Sequence, residues 1–312
     1  MRLSWWNECM RRARQALAAV GAAALASCGT TQAAPEAAET AAIAEGPRPA
    51  LWKLADEDTT IYLFGTIHLL PEGLDWRTPV LAQAIAESDA LVLETVLEDQ
   101  MKAAQAMMAA GISPGQPPIL ERVPAQRRDA LAKVIETSGV PIALLDRMET
   151  WAAGLTLLAV SFQQLGLDPE LGVEKGLTGT YKAADKPVTG LETVEQQFGF
   201  FDNLSEESQR LFLASVADDA SNAKKEFAAM LEAWTAGDTE AIARTFDDEA
   251  SMSPELREVL MKKRNAAWAD WLAKRLEQPG TVMVAVGAGH LAGRDSVQAM
   301  LAQKGLETQR VQ

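Results

Sequence analysis

Thr60-Ile-Tyr-Leu-Phe64, Thr78-Pro-Val-Leu81 and Ala90-Leu-Val-Leu93 follow one another early in the chain and decide the fold. The first and third stretches are short β-branched or apolar runs, which are typical of buried strands. Between them, Thr78 is a favourable helix N-cap and Pro79 suits the first helical turn. A strand, a helix of about ten residues and a second strand predict a βαβ unit with parallel strands.

Two later runs have the same character, Pro187-Val-Thr189 and Thr281-Val-Met-Val-Ala-Val286. Apolar periodicity predicts that the middle of the chain is helical. The predicted helices cover residues 150–165, 171–184, 205–236, 238–247 and 254–277. We therefore expect an α/β fold in a single domain, with a mixed or mostly parallel sheet of about four to six strands and a large helical portion. So few strands argue against an eight-stranded barrel.

Length and charge exclude several classes of protein. The chain has 312 residues, of which 48% are hydrophobic, so it can bury a sizeable core and is not a disordered protein. Its formal net charge of −14 argues against nucleic-acid binding, which requires a basic surface.

Residues 1–27 are predicted to be a lipoprotein signal peptide. A cluster of arginines precedes an apolar run that is too short to cross a bilayer. Leu25-Ala-Ser-Cys28 looks like the lipobox of bacterial lipoproteins, which implies lipidation of Cys28 and a membrane contact through that anchor. Gly29 in place of Asp favours a cell-envelope location at the outer membrane, facing the periplasm. An ordinary cleaved secretory peptide is the alternative, and Met10 is an alternative start.

The segment after the predicted signal peptide has a different composition. Residues 28–50 contain three prolines and almost nothing large and apolar, so we predict a flexible tether. Residues 51–312 are the predicted α/β domain.

Each of the four predicted strands is followed by a residue that can do chemistry. The chain has only two histidines, and both close a Gly-x-x-His sequence directly after a strand. The other two strands are followed by carboxylates, so the four residues are His68, Glu94, Glu192 and His290. If the strands are parallel neighbours, these side chains converge at one edge of the sheet, where α/β folds place their ligands. Two imidazoles with carboxylates suit a divalent transition metal, although hydrogen-bonded structural histidines are an open alternative.

Arg264 and Asn265 are further candidates. Arg264 shares a helix face with Trp268 and Trp271, which is explained either by core packing or by recognition of a substrate carboxylate or oxyanion. The His-Glu-x-x-His motif of other metal-dependent hydrolases is absent from the sequence.

These motifs together resemble the TraB/GumN family, over residues 51–312. The resemblance rests on Ile61-Tyr-Leu-Phe-Gly-Thr-Ile-His-Leu-Leu-Pro71, Leu91-Val-Leu-Glu94, Trp151 with Leu165-Gly-Leu-Asp-Pro-Glu-Leu-Gly172, Lys186-Pro-Val-Thr-Gly-Leu-Glu-Thr-Val-Glu-Gln-Gln197, Arg264-Asn265 and Val284-Ala-Val-Gly-Ala-Gly-His-Leu-Ala-Gly293. The family is similar to the Tiki metalloproteases, and its wider clan includes ChaN-like haem-binding lipoproteins and erythromycin-esterase-like enzymes.

The resemblance implies that His68 and His290 are the two motif histidines and that Glu94 is the acid of the second strand. We expect these three residues to bind a divalent metal such as Mn²⁺, Co²⁺ or Zn²⁺ in a hydrolase that acts on peptides or small molecules. Glu192 is then the expected general base, with Arg264 and Asn265 steadying the substrate. Two alternatives stay open: a non-catalytic lipoprotein that binds haem, metal or a peptide, and an inactive interaction module.

Overall fold

A six-stranded mixed sheet forms the centre of the molecule, in the order β4-β3-β5-β2-β1-β6. The computed structural model describes residues 46–96, 100–165, 167, 169–217, 220–246 and 253–312. The strands are β1 (Leu51–Ala55), β2 (Thr59–Thr66), β3 (Ala90–Leu93), β4 (Val188–Gly190), β5 (Gly280–Gly287) and β6 (Gln309–Arg310). The predicted α/β class is therefore confirmed.

The four predicted strands are parallel neighbours. β5 pairs with β2 on one side and with β3 on the other, and β3 pairs with β4. The register sets Thr66 beside Gly287 and Leu93 beside Ala285, so these strands end at one edge of the sheet. β1 adds to β2 in the antiparallel direction, which makes the sheet mixed.

Helices cover both faces of the sheet. They are α1 (Pro79–Glu87), α2 (Gln100–Gly111), α3 (Arg128–Ser138), α4 (Ile142–Leu145), α5 (Thr150–Gln164), α6 (Val173–Ala183), α7 (Val194–Asp202), α8 (Glu206–Val216), α9 (Ala220–Thr235), α10 (Thr239–Phe246), α11 (Pro254–Arg257), α12 (Arg264–Leu276) and α13 (Val297–Gln303). One face of the sheet packs against α1, α6, α9 and α10, and the other packs against α12 and α13. A third apolar cluster joins α3, α4, α5 and α8.

The βαβ unit is built as its sequence predicts. The Thr78 hydroxyl accepts a hydrogen bond from the Leu81 amide, and Pro79 occupies the first turn of α1. Side chains alternate along β5, so that Val282 and Val284 face α12 while Met283 faces α1. This alternation follows from the two-residue repeat of a strand.

Several boundaries differ from the predicted ones. The predicted helix 205–236 is two helices, because the first ends at Val216 and the second begins at Ala220. The predicted helix 254–277 contains a π-helical segment, Glu258–Lys263, between α11 and α12. β1 and β6 were not predicted; β6 is only two residues long, too short to leave a pattern.

The beginning of the chain is described only in part. The predicted signal peptide, Cys28 and most of the predicted tether lie outside the described residues. At the end of the predicted tether, Ala50 is buried and the Arg48 amide donates to the Thr235 carbonyl, so contacts with the domain begin before Leu51. Within the described ranges, no helix has both the length and the apolar character that crossing a bilayer requires.

Candidate functional site

The four parallel strands bring the predicted site residues to one edge of the sheet. His68 lies two residues after β2, and Glu94 directly follows β3. Glu192 lies two residues after β4, and His290 lies three residues after β5. The parallel register places the ends of these strands side by side, so the convergence expected from the sequence is present.

Three of these side chains lie close to Gly287. A Cβ atom built on Gly287 would lie 3.1 Å from Glu94 Oε1, 3.6 Å from His290 Cδ2 and 3.8 Å from His68 Nε2. Because these distances share one origin, His68 Nε2 and Glu94 Oε1 are within about 7 Å of each other. A glycine is therefore needed here to leave room between the three side chains.

His290 is buried, and its tautomer follows from its partners. Asn265 Nδ2 donates to the Asp295 carbonyl at 2.8 Å, so its Oδ1 faces His290 Nδ1 at 2.6 Å and accepts the ring proton. The lone pair of His290 Nε2 then faces Arg264 Nη1, 3.2 Å away, and Glu94 Oε1 lies 3.7 Å from the same nitrogen. Burial lowers the pKa of His290 to about 4, which keeps the ring neutral.

His68 is oriented through its other ring nitrogen by a carboxylate. His68 Nδ1 contacts Glu174 Oε1 at 2.7 Å, and the side chain of His68 is 66% exposed. The Glu174 charge raises the pKa of His68 to about 9. The Val173 amide donates to the Ile67 carbonyl at 3.1 Å, which ties the start of α6 to the loop that carries His68.

Glu94 is a buried carboxylate with strong donors on both oxygens. Gly287 N donates to Oε1 at 2.7 Å, and Arg264 Nη2 donates to Oε2 at 2.6 Å. Burial alone would raise the pKa of Glu94, but His290 in its protonated form at low pH, the charges of Arg264 and His68, and the Gly287 amide lower it to about 2. The Glu94 side chain is therefore ionised at neutral pH.

Arg264 uses all five of its N–H donors inside the protein. Nε donates to Glu192 Oε1 at 2.9 Å, and Nη2 donates to Glu192 Oε2 at 2.8 Å and to Glu94. Nη1 donates to the Leu260 carbonyl at 3.3 Å and to His290 Nε2. The guanidinium plane also lies over Trp268, 4.7 Å from the ring centroid. Arg264 is thus the centre of a buried ionic network rather than an exposed substrate contact.

Both carboxylate oxygens of Glu192 also accept hydrogen bonds within the protein. Besides its two contacts with Arg264, its Oε1 accepts from Trp268 Nε1 at 3.0 Å and its Oε2 accepts from Gln197 Nε2 at 3.3 Å. These contacts favour a positioning role through Arg264. The prediction that Glu192 is a general base stays a prediction, since a base must offer an oxygen to the proton that it takes.

Sequence reasoning missed Glu174. It lies in the first turn of α6, where its carboxylate accepts from His68 and from the Thr66 hydroxyl. These hydrogen bonds and the His68 charge lower the pKa of Glu174, although burial opposes them. The signal in the sequence is its place two residues after Gly172, which ends the Leu165-Gly-Leu-Asp-Pro-Glu-Leu-Gly172 motif.

The donor types fit a metal, but their spacing is wide. His68 Nε2, His290 Nε2 and Glu94 Oε1 are the ligand types that Zn²⁺, Mn²⁺ or Co²⁺ take. No group of three or more His, Cys, Asp or Glu side chains within the described ranges lies close enough to hold a metal as it stands. In the structure, Arg264 Nη1 rather than a metal contacts His290 Nε2, at 3.2 Å.

The fold and the site define an α/β protein with a cluster of imidazole, carboxylate and guanidinium groups at the carboxyl edge of its parallel strands. The chain belongs to the TraB/PrgY/gumN family, whose model matches residues 50–310. The predicted family is thereby confirmed.

Similar proteins are known by sequence. The chain is 27% identical over 240 residues to YbaP of Escherichia coli, a protein described as uncharacterized, with 77% of this chain and 87% of that protein covered. It is 22% identical over 263 residues to an uncharacterized protein of Treponema pallidum, with 79% and 78% covered. No solved structure matches the chain.

Proposed function

We propose that this chain is a metal-dependent hydrolase of the cell envelope that acts on peptide bonds, with His68, His290 and Glu94 as the metal ligands. One observation carries the proposal. The Nδ1 atom of each histidine contacts a side-chain oxygen, Glu174 Oε1 or Asn265 Oδ1. His290 Nε2 lies 3.7 Å from Glu94 Oε1, and His68 Nε2 lies within about 7 Å of the same oxygen. Metal-ligating histidines usually have their second nitrogen fixed in this way.

The charge balance supports a divalent cation. Three carboxylates (Glu94, Glu174 and Glu192) surround one guanidinium and one protonated imidazole. Replacing the His68 proton with a doubly charged cation would bring this cluster to neutrality. Buried charge is costly unless it is balanced, so the surplus of negative charge favours such a ligand.

A bound divalent metal supplies a water of lowered pKa and polarises the carbonyl that this water attacks. The side chains of this protein fix the ligands. Asn265 orients His290, Glu174 orients His68, and the Gly287 amide holds the Glu94 carboxylate. Hydrolysis adds the water oxygen to the carbonyl carbon, breaks the carbon–nitrogen bond and transfers a proton to the leaving amine.

Metal content tests the proposal. The purified full chain is incubated with Mn²⁺, Co²⁺ or Zn²⁺ and washed, and its metal is measured by mass spectrometry. We expect about one metal per chain, lost in His68→Ala and in His290→Ala. Glu94→Gln should lose the metal as well, and Glu87→Gln is its matched control, because Glu87 is an exposed carboxylate at the end of α1. Wild-type protein that retains no metal would refute the proposal.

A non-catalytic binding protein is the second candidate. The observation that favours it is the full engagement of Arg264 and Glu192, which leaves neither with an unused donor or oxygen for a substrate. Such a protein would bind metal or peptide without turnover. Metal binding in the wild type, combined with no cleavage of a peptide library, would select this candidate over the hydrolase.

A further inference from the structure

The Arg264 guanidinium contacts two of the three proposed metal ligands. Nη1 lies 3.2 Å from His290 Nε2, the atom that would coordinate a metal, and Nη2 lies 2.6 Å from Glu94 Oε2. Arg264 itself is 8% exposed. A positive charge is therefore already placed among the atoms that a divalent cation would bind.

The carboxylates of Glu94 and Glu192 need a nearby positive charge. The side chains of Glu94 and Glu192 are buried, with 12% and 8% of their surface exposed. Buried carboxylates without a counter-charge strongly destabilise a fold. Arg264 provides that counter-charge through its hydrogen bonds to both carboxylates.

We propose that Arg264 is an internal counter-ion, which holds the two carboxylates in place until a divalent cation binds and which competes with that cation for His290 Nε2. This inference rests on the proposed function. A cation held by His290 Nε2 would replace the hydrogen bond from Nη1, whereas the bonds of Nε and Nη2 to Glu192 would remain. One N–H of the guanidinium would then be without its partner within the protein.

The local helix geometry supports this exchange. The Leu260 carbonyl, within the π-helical segment, accepts a second hydrogen bond from Nη1. Trp268 and Phe200 lie against the guanidinium plane, with ring centroids 4.7 and 5.3 Å away. Arg264 would therefore keep its contacts with the Leu260 carbonyl and the two aromatic rings if a cation bound His290 Nε2. Short π-helical segments often occur at functional sites.

The substitution Arg264→Gln tests the proposal in the full chain. With metal removed by a chelator, we expect the unfolding temperature of the variant to fall by roughly 10 °C, because two buried carboxylates lose their counter-charge. We expect Zn²⁺ to bind about tenfold more tightly than in the wild type, measured by competition with a chromogenic chelator, because the competing cation is gone. Saturating Zn²⁺ should also raise the unfolding temperature more than it does in the wild type.

If Arg264 has only a structural role, its loss should change the Zn²⁺ affinity in the opposite direction. Its loss would loosen the ligands, so Zn²⁺ binding that is weaker or unchanged in Arg264→Gln overturns the proposal. Arg275→Gln is the matched control, because Arg275 lies near the end of the same helix and its guanidinium bonds the nearby Gln278 carbonyl. It should leave both measurements at wild-type values.

A second measurement applies if Arg264→Gln does not fold. Nitrogen NMR of the wild-type guanidinium groups follows Arg264 directly during a Zn²⁺ titration. The Arg264 Nη resonances should shift at saturation, whereas unchanged resonances overturn the proposal. Comparing the two proteins separates the two proposals. If Arg264→Gln binds Zn²⁺ and the wild type does not, the counter-ion role of Arg264 is supported and the proposed function is refuted. Zn²⁺ bound by neither protein would refute both.

Discussion

His68 and His290 follow the same Gly-x-x-His pattern, yet we expect them to carry different charges at neutral pH. Glu174 raises the pKa of His68 to about 9, whereas burial lowers the pKa of His290 to about 4. An unfolded histidine titrates near 6.5. His68 therefore contributes stability that is complete below about pH 6.5 and is lost as the pH rises toward 9. His290 lowers stability as the pH falls from about 6.5 toward 4.

Proton NMR of the chelator-treated chain checks both values, because only two imidazoles are present. Glu174→Gln should move the titration of His68 toward 6.5 and leave that of His290 in place. A His68 that still titrates near 9 in this variant would show that Glu174 is not the cause.

The role of Glu192 can be decided by its amide variant. If Glu192 positions Arg264, then Glu192→Gln removes one partner of a buried ion pair and lowers the free energy of unfolding by about 3 kcal/mol. If Glu192 is the general base, stability changes little and turnover falls by a factor of about 100 or more. From its contacts, we expect the loss of stability. Denaturant unfolding measures it, with the exposed Glu195→Gln as control.

At the scale of single elements, the end of β5 depends on the absence of a side chain at Gly287. A methyl group there would lie 3.1 Å from Glu94 Oε1, so the carboxylate must move away. We expect Gly287→Ala to lower the free energy of unfolding by about 1–2 kcal/mol and to reduce metal retention. Both are measurable on one preparation, by chemical denaturation and by metal analysis.

Gly179→Ala is the matched control. Gly179 lies within α6, and nothing lies within 4 Å of an added Cβ. Alanine at such a helical position should stabilise the protein by up to about 1 kcal/mol. Equal stability and equal metal retention in Gly287→Ala and the wild type would contradict the crowded geometry.

The elements that could be predicted are those whose signals are local. Thr78 and Pro79 mark the start of α1, and the apolar runs of β2, β3 and β5 are long enough to predict strands. β6 could not be predicted, because a two-residue strand exists only through its pairing with Trp52 and Lys53 of β1. Glu174 was missed for a similar reason: its role comes from a contact with His68, more than one hundred residues earlier.

At the scale of the whole molecule, the sequence predicts that the four strand ends converge only if the strands are parallel neighbours. It does not show by itself that they are. The network around Arg264 could not be predicted, because hydrogen-bond partners come from packing between distant segments. The sequence located Arg264 and Glu192 but could not show that they bind each other.

The proposed lipid anchor is a property of the whole chain and is tested in cells. We expect the wild type to incorporate labelled palmitate and to fractionate with membranes. Cys28→Ser should lose the label and become soluble, while the purified variant keeps the unfolding temperature of the domain. A variant that still carries the label would contradict Cys28 as the acceptor.

The central pairing of β2 with β5 joins segments separated by more than 200 residues. β5 is also the only bridge between β2 and β3, so the sheet cannot close before residues 280–287 have been synthesised. Long-range parallel pairings form slowly. A growing chain therefore lacks the strand that joins β2 to β3 until residues 280–287 have been made, so the site at the end of β5 is completed late in synthesis.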